Sequence, residues 1–80
     1  MDIEKDTKTA LQFIENHTLK DEIINMFRNG PPADTGWMWY PHKTLAFLAI
    51  EQEVLRLNYD SSGFGMMMRR IEYELNNQSG

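Results

Sequence analysis

Side chains able to carry out chemistry are few in this chain, and their spacing does not gather them. A hydrolytic site needs a nucleophile, a base within hydrogen-bond reach and a group to orient that base. Ser61 and Ser62 stand before Gly63-Phe64-Gly65, but there is no Gly-x-Ser-x-Gly elbow. Serine at that place reads instead as helix-capping chemistry, with Asp60 or Ser62 as the cap. Gly63-x-Gly65 opens like a dinucleotide fingerprint, yet Met68 holds the third glycine's place and no strand-like run precedes it. His17 and His42 have no second ligand at helical spacing, whereas a metal site needs three or four convergent ligands. Glu51/Glu53 and Glu72/Glu74 are two residues apart, which on a helix points each pair to different faces. Cysteine is absent, which removes disulfides and thiolate metal sites. The expectation is a chain that is no enzyme and holds no cofactor and no metal.

Residues suited to binding are easier to find. Trp37, Trp39 and Tyr40 fall within four positions and are types enriched at interface hot spots. The same residues could close one end of a small core, and both readings stand, with at least one tryptophan inside. Met66-Met67-Met68 spans too wide an arc of a helix for all three to face inward. Met67 and Met68 fit the core stripe, which leaves Met66 toward Tyr73 as a second apolar patch, suited to a partner or to a homodimer. Arg69 and Arg70 are the contacts that a nucleic-acid reading would use, with the third and fourth helices as a helix-turn-helix. Against that reading, the first turn of the fourth helix offers Gly, Phe, Gly and Met, which read base edges poorly. The net charge is also −4, where a DNA-binding domain usually shows a basic face.

The elements that must position these residues follow from apolar periodicity. Eighty residues suffice for one domain, taken as 1–76 with a frayed polar tail at 77–80. Helical patterns cover about 3–16, 19–29, 42–57 and 63–76, with an aromatic loop at 30–41, which makes the fold class all-α, a compact bundle of four helices. Thr18 with Asp21 resembles a capping box for the second helix. Gly30 is placed as its left-handed cap, followed by Pro31-Pro32. Pro41 is tolerated at a first helical position and so opens the third helix. That helix carries two apolar stripes, one of Leu45, Leu48 and Leu55 and one of Phe47, Ile50, Val54 and Leu57. It is therefore expected at the centre of the bundle. The core list is Leu11, Ile14, Ile23, Phe27, Leu45, Leu48, Leu55, Met68 and Ile71.

No stretch approaches the ~18 apolar residues of a membrane span, and the acidic start Met-Asp-Ile-Glu-Lys-Asp has no apolar signal core. A cytoplasmic location without membrane contact is expected. In size, acidic charge and layout, with Tyr40-Pro41 ahead of a long third helix, the chain resembles small immunity-type inhibitors. The likeness is one of layout and carries no residue positions over. The absence of a catalytic constellation, the acidic balance and the apolar surplus at Trp37, Trp39, Tyr40, Met66 and Tyr73 lead to the expectation of an inhibitor, adaptor or antagonist that binds a protein partner, of the short acidic kind that phage and plasmid genomes also encode. The alternative is a helix-turn-helix-like transcriptional regulator acting through Arg69 and Arg70.

Overall fold

Four α-helices and one turn of 3-10 helix form the regular structure of residues 2–31, 36–40 and 42–78, which the computed structural model describes. Helix α1 spans Ile3–Asn16. Asp2 caps it by accepting the Lys5 N–H at 3.1 Å, and Glu4 and Asp6 lie in its first turn, where the helix dipole favours negative charge. Thr7, Ala10 and Ile14 form its buried stripe, with Ile3 and Leu11 half-buried beside it. The Thr7 hydroxyl donates to the Ile3 carbonyl at 2.5 Å, so burying it strands no donor.

Helix α2 spans Lys20–Asn29, and its capping differs from the expectation. Thr18 is exposed and makes no cap; the N-cap is Leu19, with no side-chain bond. The link from α1 is so short that His17 reaches the open helix end first. Its Nδ1 accepts the Leu19 N–H at 2.9 Å, and its carbonyl accepts the Lys20 N–H at 3.1 Å. Ile23, Met26 and Phe27 face inward.

Gly30 is a second correction. Its backbone is extended, with φ −85°, so no left-handed cap requires glycine there. A close approach requires it: a Cβ would sit 2.5 Å from the Met26 carbonyl oxygen and 2.8 Å from Cη2 of Trp37. Of the expected stop at Pro31-Pro32, Pro32 lies outside the described residues.

Within the aromatic loop the chain makes a 3-10 turn, Trp37–Trp39, entered through Gly36 at φ 110°, a left-handed conformation that suits glycine. Trp37 enters the core at 1% exposure. Its ring lies 5.3 Å from Phe27 of α2, 5.9 Å from Tyr40 and 6.3 Å from Phe47. Phe47 continues to Phe64 at 6.2 Å. One run of rings therefore joins α2, the loop and the two helices that follow.

Helix α3 spans Leu45–Arg56, starting three residues later than expected. Thr44 caps it by accepting the Phe47 N–H at 3.2 Å; Pro41, the expected opening residue, lies outside the described residues. Ala46, Phe47, Ile50, Glu53 and Val54 face inward. Leu45, Leu48 and Leu55 are exposed, which corrects their place in the core list and leaves α3 uncovered on one side. Two apolar stripes competed for the interior, and the stripe holding Phe47 is the one that meets Trp37 and Phe64. The price is a buried Glu53, answered by a two-point pairing with Arg56 at 2.6 and 3.0 Å.

Asn58 then adopts φ 71°, tolerated by asparagine better than by most residues. Asp60 caps α4, which spans Ser61–Gln78, by accepting from Ser62 Oγ at 2.8 Å and Gly63 N–H at 2.9 Å. The Ser62 hydroxyl, and after it the Gly63 N–H, hold the Asp60 carboxyl below its ordinary range. Phe64, Met67, Met68, Ile71 and Leu75 supply the buried face of α4, the stripe the periodicity indicates. The helix reaches two residues past the expected end; of the tail expected at 77–80, Ser79 and Gly80 lie outside the described residues. Helix α4 packs against α1, α2, α3 and the 3-10 turn.

A polar tie between distant elements also borders this interior. Tyr59 is buried and its hydroxyl donates to Asp6 Oδ2 at 3.0 Å, fastening α1 to the turn between α3 and α4. Burial first, then the bond to Asp6 and the nearby carboxylates, push the phenol up to about 12.

Two outcomes follow from this packing. Gly30→Ala should destabilise the fold by ~1–3 kcal/mol, the usual range for an overfilled site, read from chemical denaturation; an unchanged midpoint would show that Trp37 does not press on Gly30. Tyr59→Phe should cost about 1–2 kcal/mol at neutral pH. Because the folded phenol holds its proton more tightly than the unfolded one, its contribution is complete below pH ~10, the ordinary tyrosine value. It is lost as pH rises to about 12. The stability difference between wild type and Tyr59→Phe should shrink across that window, and a constant difference would contradict the pairing.

Candidate functional site

The aromatic loop separates its residues by the geometry of the 3-10 turn. At three residues per turn, positions two apart cannot both face the core. Trp37 points in, and Trp39 points out at 85% exposure. Trp39 is nevertheless held: its Cδ1 lies 3.2 Å from where a Cβ on Gly36 would be, and its N–H donates to the Gly36 carbonyl at 2.9 Å. Tyr40 is half-buried, folded back over Phe47 at 5.7 Å and edge-on to His42 at 6.4 Å. Of the three loop residues marked for binding, Trp37 is thus core, Tyr40 is mostly packing, and Trp39 is presented to solvent.

Met66 and Tyr73 are also exposed, seven residues apart and so on one face of α4. With Ile3 from α1 and with Arg69 and Arg70 they line a shallow groove of about 530 Å³. Apolar walls with cationic edges can seat an apolar side chain while a neighbouring acid meets a guanidinium. The two arginines are not equivalent. Arg69 is exposed, whereas Arg70 is half-buried, with Nε 3.9 Å from Glu74. It also borders a second groove shared with Glu4 and Leu11 of α1.

An open concavity of about 580 Å³ lies where Lys5, Lys8, Phe13, His17 and Glu53 meet. The Phe13 and His17 rings are 5.1 Å apart. Glu53 is committed to Arg56, whose guanidinium is held above its ordinary range by that hydrogen bond and charge. His42 sits with Tyr40, away from these residues' lining. Among the described residues no three of His, Cys, Asp and Glu converge as metal ligands, and no helix is long and apolar enough to cross a membrane.

Periodicity did not reveal the exposed leucine arc of α3 or the contribution of Ile3 to the groove. The leucine arc had a visible signal, since it is a charge-free stripe with aromatic-bearing competition on the same helix. Ile3 had none, because its place depends on how α1 lies across α4. No family model matches the chain, and no curated protein or solved structure matches it.

Proposed function

We propose that this chain is a non-enzymatic interaction protein that binds and modulates a protein partner, acting as an inhibitor or adaptor. The observation that carries the reading is the outward Trp39, a large aromatic held by a turn whose other tryptophan is locked in the core. Solvent exposure of an indole is costly, since burying its apolar surface on a partner recovers about 25 cal/mol per Å². An anchor that is already oriented also loses little freedom on binding. The groove at Met66 and Tyr73 supplies a second apolar contact with Arg69 at its edge. Net charge −4 favours a protein partner over a nucleic-acid backbone.

Affinity capture followed by cross-linking would identify the partner, and Trp39→Ala then tests the site. The substitution should leave far-ultraviolet circular dichroism and the unfolding midpoint nearly unchanged. Binding should weaken at least about thirtyfold, the effect of losing an interface hot spot. Trp37→Ala is the contrasting variant, expected to cost about 3–5 kcal/mol of folding stability and so to lose binding by unfolding. Affinity that survives both Trp39→Ala and the pair Met66→Ser with Tyr73→Ser would refute the assignment.

A further inference from the structure

The uncovered side of α3 carries more order than an exposed apolar surface requires. Leu45 is 71% exposed, Leu48 40% and Leu55 44%. With Gln52, also exposed, they fall at positions 45, 48, 52 and 55. These intervals of three, four and three are the a, d, a, d places of two heptads, the spacing by which one helix seats against another.

Assigning Leu45 and Gln52 to a, and Leu48 and Leu55 to d, places Glu51 at g and Ala49 and Arg56 at e. Thr44, the cap residue, is the preceding g. In a parallel, in-register pair each g residue lies beside the e residue five positions on in its mate. Glu51 would then meet Arg56 of the other copy, twice by symmetry. An antiparallel pair sets g against g and e against e; with Leu45 opposite Leu55, that places Glu51 beside Glu51 and leaves Arg56 without an acidic mate. The charge pattern therefore selects both the occupant and its direction. Small Ala49 and Thr44 on the remaining flanks let the two helices approach. Gln52 facing its own counterpart gives one polar layer, a device that fixes register in helix pairs.

We infer that α3 is a self-association surface on which a second copy of this chain docks as a parallel, two-fold symmetric helix pair. Each copy brings three leucines to the seam, and one Glu51–Arg56 contact between the copies lies on each side of it. Glu51 already lies 3.6 Å from Lys43 and Arg56 2.6 Å from Glu53, so the intermolecular pairs are shared bridges that mainly choose orientation, while leucine burial drives association. Twelve helical residues make a short seam, and the dimer is accordingly a weak one.

Sedimentation equilibrium from about 20 µM to about 1 mM, a range that brackets weak association, reads this without any partner protein and so stands apart from the Trp39 experiment. The mean mass should climb from 9.4 kDa toward twice that value. Leu48→Glu with Leu55→Glu should hold it at the monomer mass at every concentration, with helicity retained because both side chains are exposed. Met66→Ser with Tyr73→Ser should leave the climb unchanged. A wild-type mass that stays monomeric to 1 mM, or a climb abolished by the Met66 and Tyr73 changes but not by the leucine changes, would overturn the proposal. Orientation is read by oxidation, since the chain has no cysteine of its own. Leu45→Cys and Leu55→Cys should each cross-link to themselves. Cross-linking only in a mixture of the two would mark an antiparallel pair and sink the parallel one.

Discussion

Burial of the Trp37 indole is the contact on which the rest of this molecule depends. The ring fills the space between Phe27 of α2 and Phe47 of α3, two helices that are joined in the chain by the segment carrying Trp37. Seating it there has three consequences that are geometric and not optional. Position 30 is held to glycine, because the ring adds to the Met26 carbonyl in filling the place where a side chain would begin. Tyr40 must fold back over Phe47, which delays the third helix until Thr44 can cap it. Trp39, two residues along a tight turn, must face water. The Trp37 Nε1 is buried without an acceptor among the described residues, so its place is secured by apolar area and ring packing against a cost of about 1–3 kcal/mol for the unpaired donor.

The same ring decides which side of α3 turns inward. A helix with two apolar stripes has no preferred face in isolation, and hydrophobic content alone does not separate Leu45, Leu48 and Leu55 from Phe47, Ile50 and Val54. The aromatic run does, because Phe47 is the link between Trp37 and Phe64. Choosing it places Glu53 on the buried arc, where the carboxylate survives only through its two contacts with Arg56. An inward acid with an outward leucine stripe breaks the usual pattern, and such departures concentrate where a surface has work to do.

This explains how much could be read from the residues and where the reading failed. The all-α class, the number of helices, the stripes of α1, α2 and α4, and the inward places of Ile14, Ile23, Phe27, Met68 and Ile71 were legible because local periodicity determines them. Met66 and Tyr73 were likewise visible as a face apart from the core. The errors have two causes. The side that α3 buries depends on contacts between residues distant in the chain. The cap of α2 turns instead on a competition between neighbours, His17 and Thr18, that apolar periodicity does not weigh. Gly30 combines both, since the Met26 carbonyl crowds it locally and Trp37 crowds it from the loop. Among Trp37, Trp39 and Tyr40, residue type marked the right segment, but only the turn's pitch distinguishes the anchor from the presented ring.

Residue choice in the core follows from the same constraint. Of the seven leucines, only Leu75 belongs to the buried set, which is otherwise built from Ile, Met, Phe, Trp, Val, Ala and Tyr. Rings meeting at tilted angles leave irregular gaps, and Met67 and Met68 are flexible enough to fill them where branched leucine would not. A domain of this size buries only roughly 60% of its surface, so some exposed apolar side chains need no explanation. Scattered leakage would place them at random. Here the surplus leucine lies on one arc of one helix at heptad intervals, and the surplus methionine and tyrosine lie seven residues apart on another. Spacing of that kind is a property of surfaces that meet helices or grooves, which is why the outward side chains, and not the concavities, carry the functional reading.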